Sequence, residues 1–133
     1  MKSNLLTLES TELADIPQNV LPFRHVVYHI KELFMTFLPP IEINNSSKVE
    51  ISFGPRGDES IFDGVLGVTN IFIEDFNFNN FYKLDKSKQE KEVLKIIVDS
   101  LCELSLRRNE DTSIINTIKM AANKVIESEF NLI

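Results

Sequence analysis

Two stretches near the end of the chain decide the fold: SKQEKEVLKIIVDSLCELSLR at residues 87–107 and TSIINTIKMAANKVIES at residues 112–128. Apolar residues recur in both at spacings of three and four, the period of an amphipathic helix. Ser87-x-x-Glu90 has the form of a capping box at the first helix start. The short link between the stretches predicts an antiparallel helix pair. We expect the interior of this pair to contain Val93, Ile96, Ile97, Leu101 and Leu104 of the first helix, and Ile114, Ile115, Ile118, Ala121, Ala122, Val125 and Ile126 of the second.

The preceding half of the chain predicts one more helix and at least two strands. The helix is expected over residues 23–37, where apolar residues repeat at helical spacing between Pro22 and Pro39-Pro40. Residues 48–53 alternate polar and apolar side chains as a half-exposed strand does. Residues 65–73 are β-branched and aromatic on both faces, which is typical of a central strand. These parts predict an α+β fold, in which a small antiparallel or mixed sheet packs against the antiparallel C-terminal helix pair and one N-terminal helix.

Two segments leave two structural interpretations open. Residues 76–84 read FNFNNFYKL, which fits either a third strand or an irregular loop anchored by its aromatic rings. Residues 1–20 contain a few leucines that fit either a short strand or a loosely ordered arm. The sequence shows no internal repeat, low-complexity tract or linker, so we expect one domain over residues 1–133.

The composition narrows the class of partner. The chain carries 20 acidic and 14 basic residues, a formal net charge of −6. This balance argues against duplex nucleic acid and anionic membranes, and it favours a basic partner. The sequence contains neither an apolar run long enough to span a membrane nor a recognisable signal peptide, so we expect a cytoplasmic protein. Cys102 is the only cysteine and lies in an apolar helical stripe, which predicts a buried, unreactive thiol.

The two histidines suggest a metal site that the sequence does not complete. His25 and His29 stand four residues apart on the first predicted helix, and Glu32 lies one turn further. This spacing can bind zinc, but the segment lacks the glutamate that supplies the general base in zinc peptidases. We therefore interpret both histidines as polar residues of an amphipathic helix, and we assign no catalytic, cofactor-binding or metal-binding residue. A small metal-dependent or acid/base enzyme that uses His25, His29 and Glu32 is the alternative.

The region with most functional interest is residues 57–82, which contain acidic and aromatic residues and no lysine or arginine. Aromatic rings can anchor a protein partner, and carboxylates can steer a basic one. An equally good interpretation is a solvated acidic edge above a buried aromatic core. The candidate partner-binding residues are Asp58, Glu59, Asp63, Glu74, Asp75, Phe78, Phe81 and Tyr82.

The order of these parts resembles a known class of proteins. The aromatic segment FNFNNFYKL at residues 76–84 is followed by the charged helix EVLKIIVDSLCEL at residues 92–104. Over about residues 48–128, this pattern is similar to the immunity proteins of bacterial polymorphic toxin and contact-dependent growth inhibition systems. The resemblance implies a cytoplasmic, non-catalytic protein that binds and blocks one cognate toxin, often a basic nuclease. A further alternative is an adaptor subunit of a larger assembly.

Overall fold

The computed structural model describes residues 6–10, 22–39, 48–54, 68–73, 75–107 and 112–130, and these residues are mostly helical. No described helix is both long and apolar enough to cross a membrane. In chain order the elements are β1 (Leu6–Ser10), α1 (Phe23–Phe37), β2 (Lys48–Phe53), β3 (Val68–Ile73), α2 (Phe78–Tyr82), α3 (Lys86–Arg107) and α4 (Thr112–Glu127).

The described strands lie side by side in the order β1-β2-β3, and both pairs are parallel. The expected antiparallel or mixed pairing is therefore wrong for these strands. Parallel neighbours need a crossover of a dozen or more residues, and α1 provides it between β1 and β2. Residues 54–67 separate β2 from β3, and a connection of this length also permits parallel pairing. Within β2, Val49, Ile51 and Phe53 are buried while the alternate residues are not, as the sequence pattern predicted.

The first helix occupies the predicted residues, Phe23–Phe37, and contacts β1, α3 and α4. Its apolar stripe is almost completely buried, so α1 is the element around which the core is built. The backbone N–H of Leu38 donates to the carbonyl of Phe34, and the helix ends there because Pro39 cannot continue the ladder. The buried residues of α1 are Phe23, Val26, Val27, Ile30, Leu33, Phe34 and Met35.

The two C-terminal helices pack against each other, as predicted. The ring of His29 on α1 lies beside Glu90 near the start of α3 and beside Phe130 just after α4, so the two helices run antiparallel. Ile97, Leu101, Leu104, Ile118 and Val125 are buried, which confirms the predicted interior. The prediction for Ile126 is wrong, because Ile126 lies at the margin of the buried stripe and is 51% exposed. Ile114 and Ile115 are half-buried.

The start of α3 differs from the predicted capping box. The Asp85 carboxylate accepts a hydrogen bond of 2.9 Å from the backbone N–H of Lys88, so Asp85 is the N-cap and the helix begins at Lys86. Ser87 lies inside the first turn, and Glu90 is buried beside His29. The pattern of a capping box is therefore present in the sequence without its hydrogen bonds.

This assignment predicts unequal effects for two alanine substitutions in one turn. Asp85→Ala is expected to lower the free energy of unfolding by about 1 kcal/mol, because the N–H of Lys88 loses its acceptor. Ser87→Ala, the matched control, is expected to change it by less than about 0.5 kcal/mol. Urea denaturation of both variants measures the difference. A larger loss of unfolding free energy for Ser87→Ala than for Asp85→Ala would instead support Ser87 as the N-cap of a capping box.

The end of α4 holds two consecutive residues in the left-handed region, Glu129 with φ 58° and Phe130 with φ 61°. The N–H of Phe130 donates to the carbonyl of Val125, and the N–H of Glu129 donates to that of Ile126. This is the Schellman pattern of hydrogen bonds, in which glycine usually occupies the position of Glu129. Val125 and Phe130 are both buried, which gives the motif its apolar contact.

Glycine at position 129 is expected to stabilise the protein. A left-handed conformation costs an L-residue about 1–2 kcal/mol, and glycine avoids most of this cost. We expect Glu129→Gly to be more stable than Glu129→Ala by about 1 kcal/mol. The alanine variant is the control because it also removes the side chain but keeps the backbone penalty. Equal melting temperatures for the two variants would contradict the prediction.

Candidate functional site

The site begins with the segment that the sequence left open between a strand and a loop. Residues Phe78–Tyr82 form the short helix α2, so the segment is neither the third strand nor the irregular loop that the sequence left open. The side-chain oxygen of Asn77 accepts a hydrogen bond of 2.9 Å from the backbone N–H of Asn80 and caps this helix. Asparagine favours N-cap positions for this reason, and the same property made the segment resemble a loop.

An aromatic cluster fixes α2 to the body of the protein. The ring of Phe23 lies between 4.9 and 5.1 Å from the rings of Phe53, Phe76, Phe78 and Phe81, measured between centroids. Three of these four contacts are edge-to-face, a favourable geometry for aromatic pairs.

Two of the predicted partner anchors belong to this core. Phe78 and Phe81 stand three residues apart and share one side of α2, where they are only 7% and 2% exposed. Both rings are therefore core residues and not exposed anchors. Tyr82 is half-buried, and its hydroxyl accepts a hydrogen bond of 2.7 Å from the backbone N–H of Phe23. That N–H is one of the donors left over at the start of α1, so Tyr82 completes the helix start.

Beside the cluster, a cavity of about 410 Å³ opens between β3, α2 and α3. Its apolar part is formed by residues that are mostly half-buried, and its polar part by exposed carboxylates and amides. Among the described residues that line it, none is basic. The lining residues are Ile73, Asp75, Phe76, Asn77, Asn80, Phe81, Leu84, Glu92 and Ile96.

Hydrogen bonds hold the wall of this cavity in place. The side-chain amide of the buried residue Gln89 donates to the carbonyl of Phe81 at 3.2 Å, which connects α2 to α3. The N–H of Lys83 bonds to the carbonyl of Asn80, and the N–H of Leu84 to that of Phe81. A wall that is fixed before binding loses less conformational freedom when a ligand arrives.

The structure brings together only part of the predicted partner-binding set. Asp75 is exposed and lines the cavity, whereas Asp58, Glu59, Asp63 and Glu74 lie outside the described residues. Glu92, Asn77 and Asn80 also line it and were missed. One available signal was the spacing of Glu92 and Ile96, which places a carboxylate beside an apolar side chain on one face of α3.

The histidines do not form the predicted alternative site. His25 is exposed, whereas the His29 Nε2 atom lies 2.8 Å from the carbonyl oxygen of Phe130 and 3.6 Å from a carboxylate oxygen of Glu90. A carbonyl oxygen can only accept, so Nε2 carries the proton and donates. Among the described residues, no group of three or more histidine, cysteine or acidic side chains is placed to hold a metal ion. The position of His29 instead ties α1 to the ends of α3 and α4.

The thiol of Cys102, which the sequence predicted to be buried, is half-buried. Burial raises the pKa of its thiol, Lys119 lowers it to a smaller extent, and Asp99 raises it further. A raised pKa keeps the sulfur protonated at neutral pH, which does not favour nucleophilic reaction.

No protein-family model matches the chain, and no curated protein or solved structure matches it either.

Proposed function

We propose that this chain is a non-catalytic protein-binding inhibitor, an immunity protein that neutralises one cognate basic toxin domain by direct contact. The observation that carries the proposal is the cavity between α2 and α3. It combines an apolar floor with two exposed carboxylates, Asp75 and Glu92, and the described part of its lining contains no basic side chain. Protein interfaces are anchored at pockets of this kind, where a few partner side chains supply most of the binding energy.

The charge of the chain fits such a partner. Nucleases carry positive surfaces because their substrates are polyanions. A net charge of −6 accelerates encounter with a positive surface and disfavours nucleic acid and anionic membranes as ligands. The fold assigned to this inhibitor is α+β, with a small sheet covered by helices, and we place it in the bacterial cytoplasm.

The side chains of the cavity support binding rather than catalysis. The described lining consists of carboxylates, amides and apolar side chains, and these residues include no nucleophile paired with a base. The same residues supply hydrogen-bond acceptors and apolar area, which are the components of a protein interface.

Co-expression with the product of the neighbouring gene, as the candidate toxin, tests this proposal. We expect the chain to restore growth of cells that express the toxin and to elute with it as a stable complex in size-exclusion chromatography. An unrelated acidic protein of similar size is the control for non-specific charge effects. Growth arrest in the presence of excess folded protein would contradict the proposal.

A further inference from the structure

We infer that the cavity between α2 and α3 receives one arginine side chain of the partner. This inference rests on the proposed function and names the chemical group that the site recognises. It depends on three properties of the cavity: its size, the position of its apolar and polar walls, and the sign of its charge.

The volume of about 410 Å³ is large enough to admit one long side chain. The half-buried side chains of Phe76, Leu84 and Ile96 offer apolar surface for the methylene groups of an arginine. Arginine places its stem on apolar surface and keeps its charged group at the polar edge, an arrangement that this cavity allows.

The polar groups favour a guanidinium over other cations. Asp75 and Glu92 provide carboxylate oxygens, and the amides of Asn77 and Asn80 provide further acceptors. A guanidinium has five donors in a fixed plane and can satisfy several of these acceptors together. It also stacks on aromatic faces, and the ring of Phe76 is half-buried in the wall. Lysine has a smaller, more strongly hydrated charge and does not stack in this way.

Other occupants fit the same walls less well. A purely apolar side chain would cover the cavity without pairing the carboxylates, which would then lose water with no compensation. A second copy of this chain would bring two bodies of charge −6 together, and this repulsion opposes association. A basic partner that inserts an arginine has the complementary sign.

The experiment is a titration of the isotope-labelled protein with N-acetyl-L-arginine amide, followed by amide chemical shifts. We expect saturable shifts at Asn80, Glu92 and Ile96 with a dissociation constant on the order of millimolar, as suits a fragment of an interface. The matched control is N-acetyl-L-citrulline amide, which has nearly the same shape without the charge. We expect it and the lysine analogue to bind at least about fivefold more weakly.

Variants locate the binding. Asp75→Asn with Glu92→Gln keeps the shape of the wall and is expected to weaken arginine amide binding at least about tenfold. Asp99→Asn, an exposed change on α3 outside the cavity, is expected to leave it unchanged. Equal shifts with citrulline amide, equal binding of the lysine analogue, or arginine shifts that survive the double variant would overturn the inference.

The outcomes for the two proposals are separate. If the arginine amide does not bind but the toxin is neutralised, the arginine inference fails and the proposed function stands. If the arginine amide binds at the cavity but the toxin domain is neither bound nor inhibited, the proposed function fails.

Discussion

Replacing Phe23 with alanine is expected to lower the free energy of unfolding by about 3–5 kcal/mol, the usual range for truncating a buried phenylalanine. The ring is completely buried and contacts four other phenylalanine rings. Its removal would leave a void where α1, β2 and α2 meet. The neighbouring side chains are closely packed and cannot shift enough to fill that void.

Phe37→Ala is the matched control for this prediction, because Phe37 is the last residue of the same helix and only half-buried. We expect its loss to be on the order of 1–2 kcal/mol, since part of its ring already faces water. Urea denaturation monitored by circular dichroism measures both variants. Equal losses would show that Phe23 is not the centre of the aromatic cluster.

Reversing the charge of the cavity is expected to have the largest effect on binding. Asp75→Lys with Glu92→Lys should weaken the complex with the cognate toxin by about 30-fold to a few thousand-fold, equivalent to about 2–5 kcal/mol. An inserted arginine would then meet two like charges in place of two carboxylates. Both side chains are exposed, so we expect thermal stability to change little.

The control for charge reversal is Asp99→Lys with Glu127→Lys, which changes the net charge equally at exposed positions outside the cavity. Loss of long-range attraction should slow association in both double variants, and this effect should fade as salt rises. Faster dissociation should appear only in the cavity variant, because only there is a direct contact removed. Surface plasmon resonance separates the two rates. The same dissociation rate in both variants would move the interface away from the cavity.

The helices could be predicted from the sequence because their burial follows local periodicity. The apolar stripes of α1, α3 and α4 repeat at helical spacing, and their bounds agree with prediction to within one residue. The exact edge of a stripe is less certain, since a residue at its margin turns inward or outward according to its neighbours. Ile126 illustrates this limit, because its side chain is apolar like those of the core but lies at the margin of the apolar stripe of α4.

The pairing of the strands and the shape of α2 depend on contacts between distant residues. Parallel pairing of β1 with β2 follows from α1 crossing between them, which no local pattern of either strand encodes. In the aromatic segment, alternation fitted a strand and the asparagines fitted a loop, but Asn77 caps a helix and the cluster around Phe23 draws Phe78 and Phe81 inward. Tertiary packing thus overrides the local preference of this segment.

The candidate site was only half predictable for a related reason. An excess of acidic and aromatic residues identified the region that contains Asp75, but composition does not distinguish a ring in the core from a ring on the surface. Glu92 joins Asp75 at the cavity only because the chain turns through α2 before α3 begins. The acidic residues of a single segment therefore did not define the site.

The most direct test of the central claim is the stoichiometry of inhibition. The activity of a fixed amount of purified cognate toxin is measured against increasing amounts of this protein. A binding inhibitor should lower the activity linearly to zero at about one protein per toxin, with no change on longer incubation, because each molecule blocks one partner. Progressive loss of toxin activity with far less than one equivalent would contradict the account, because it would mean that the chain is a catalyst.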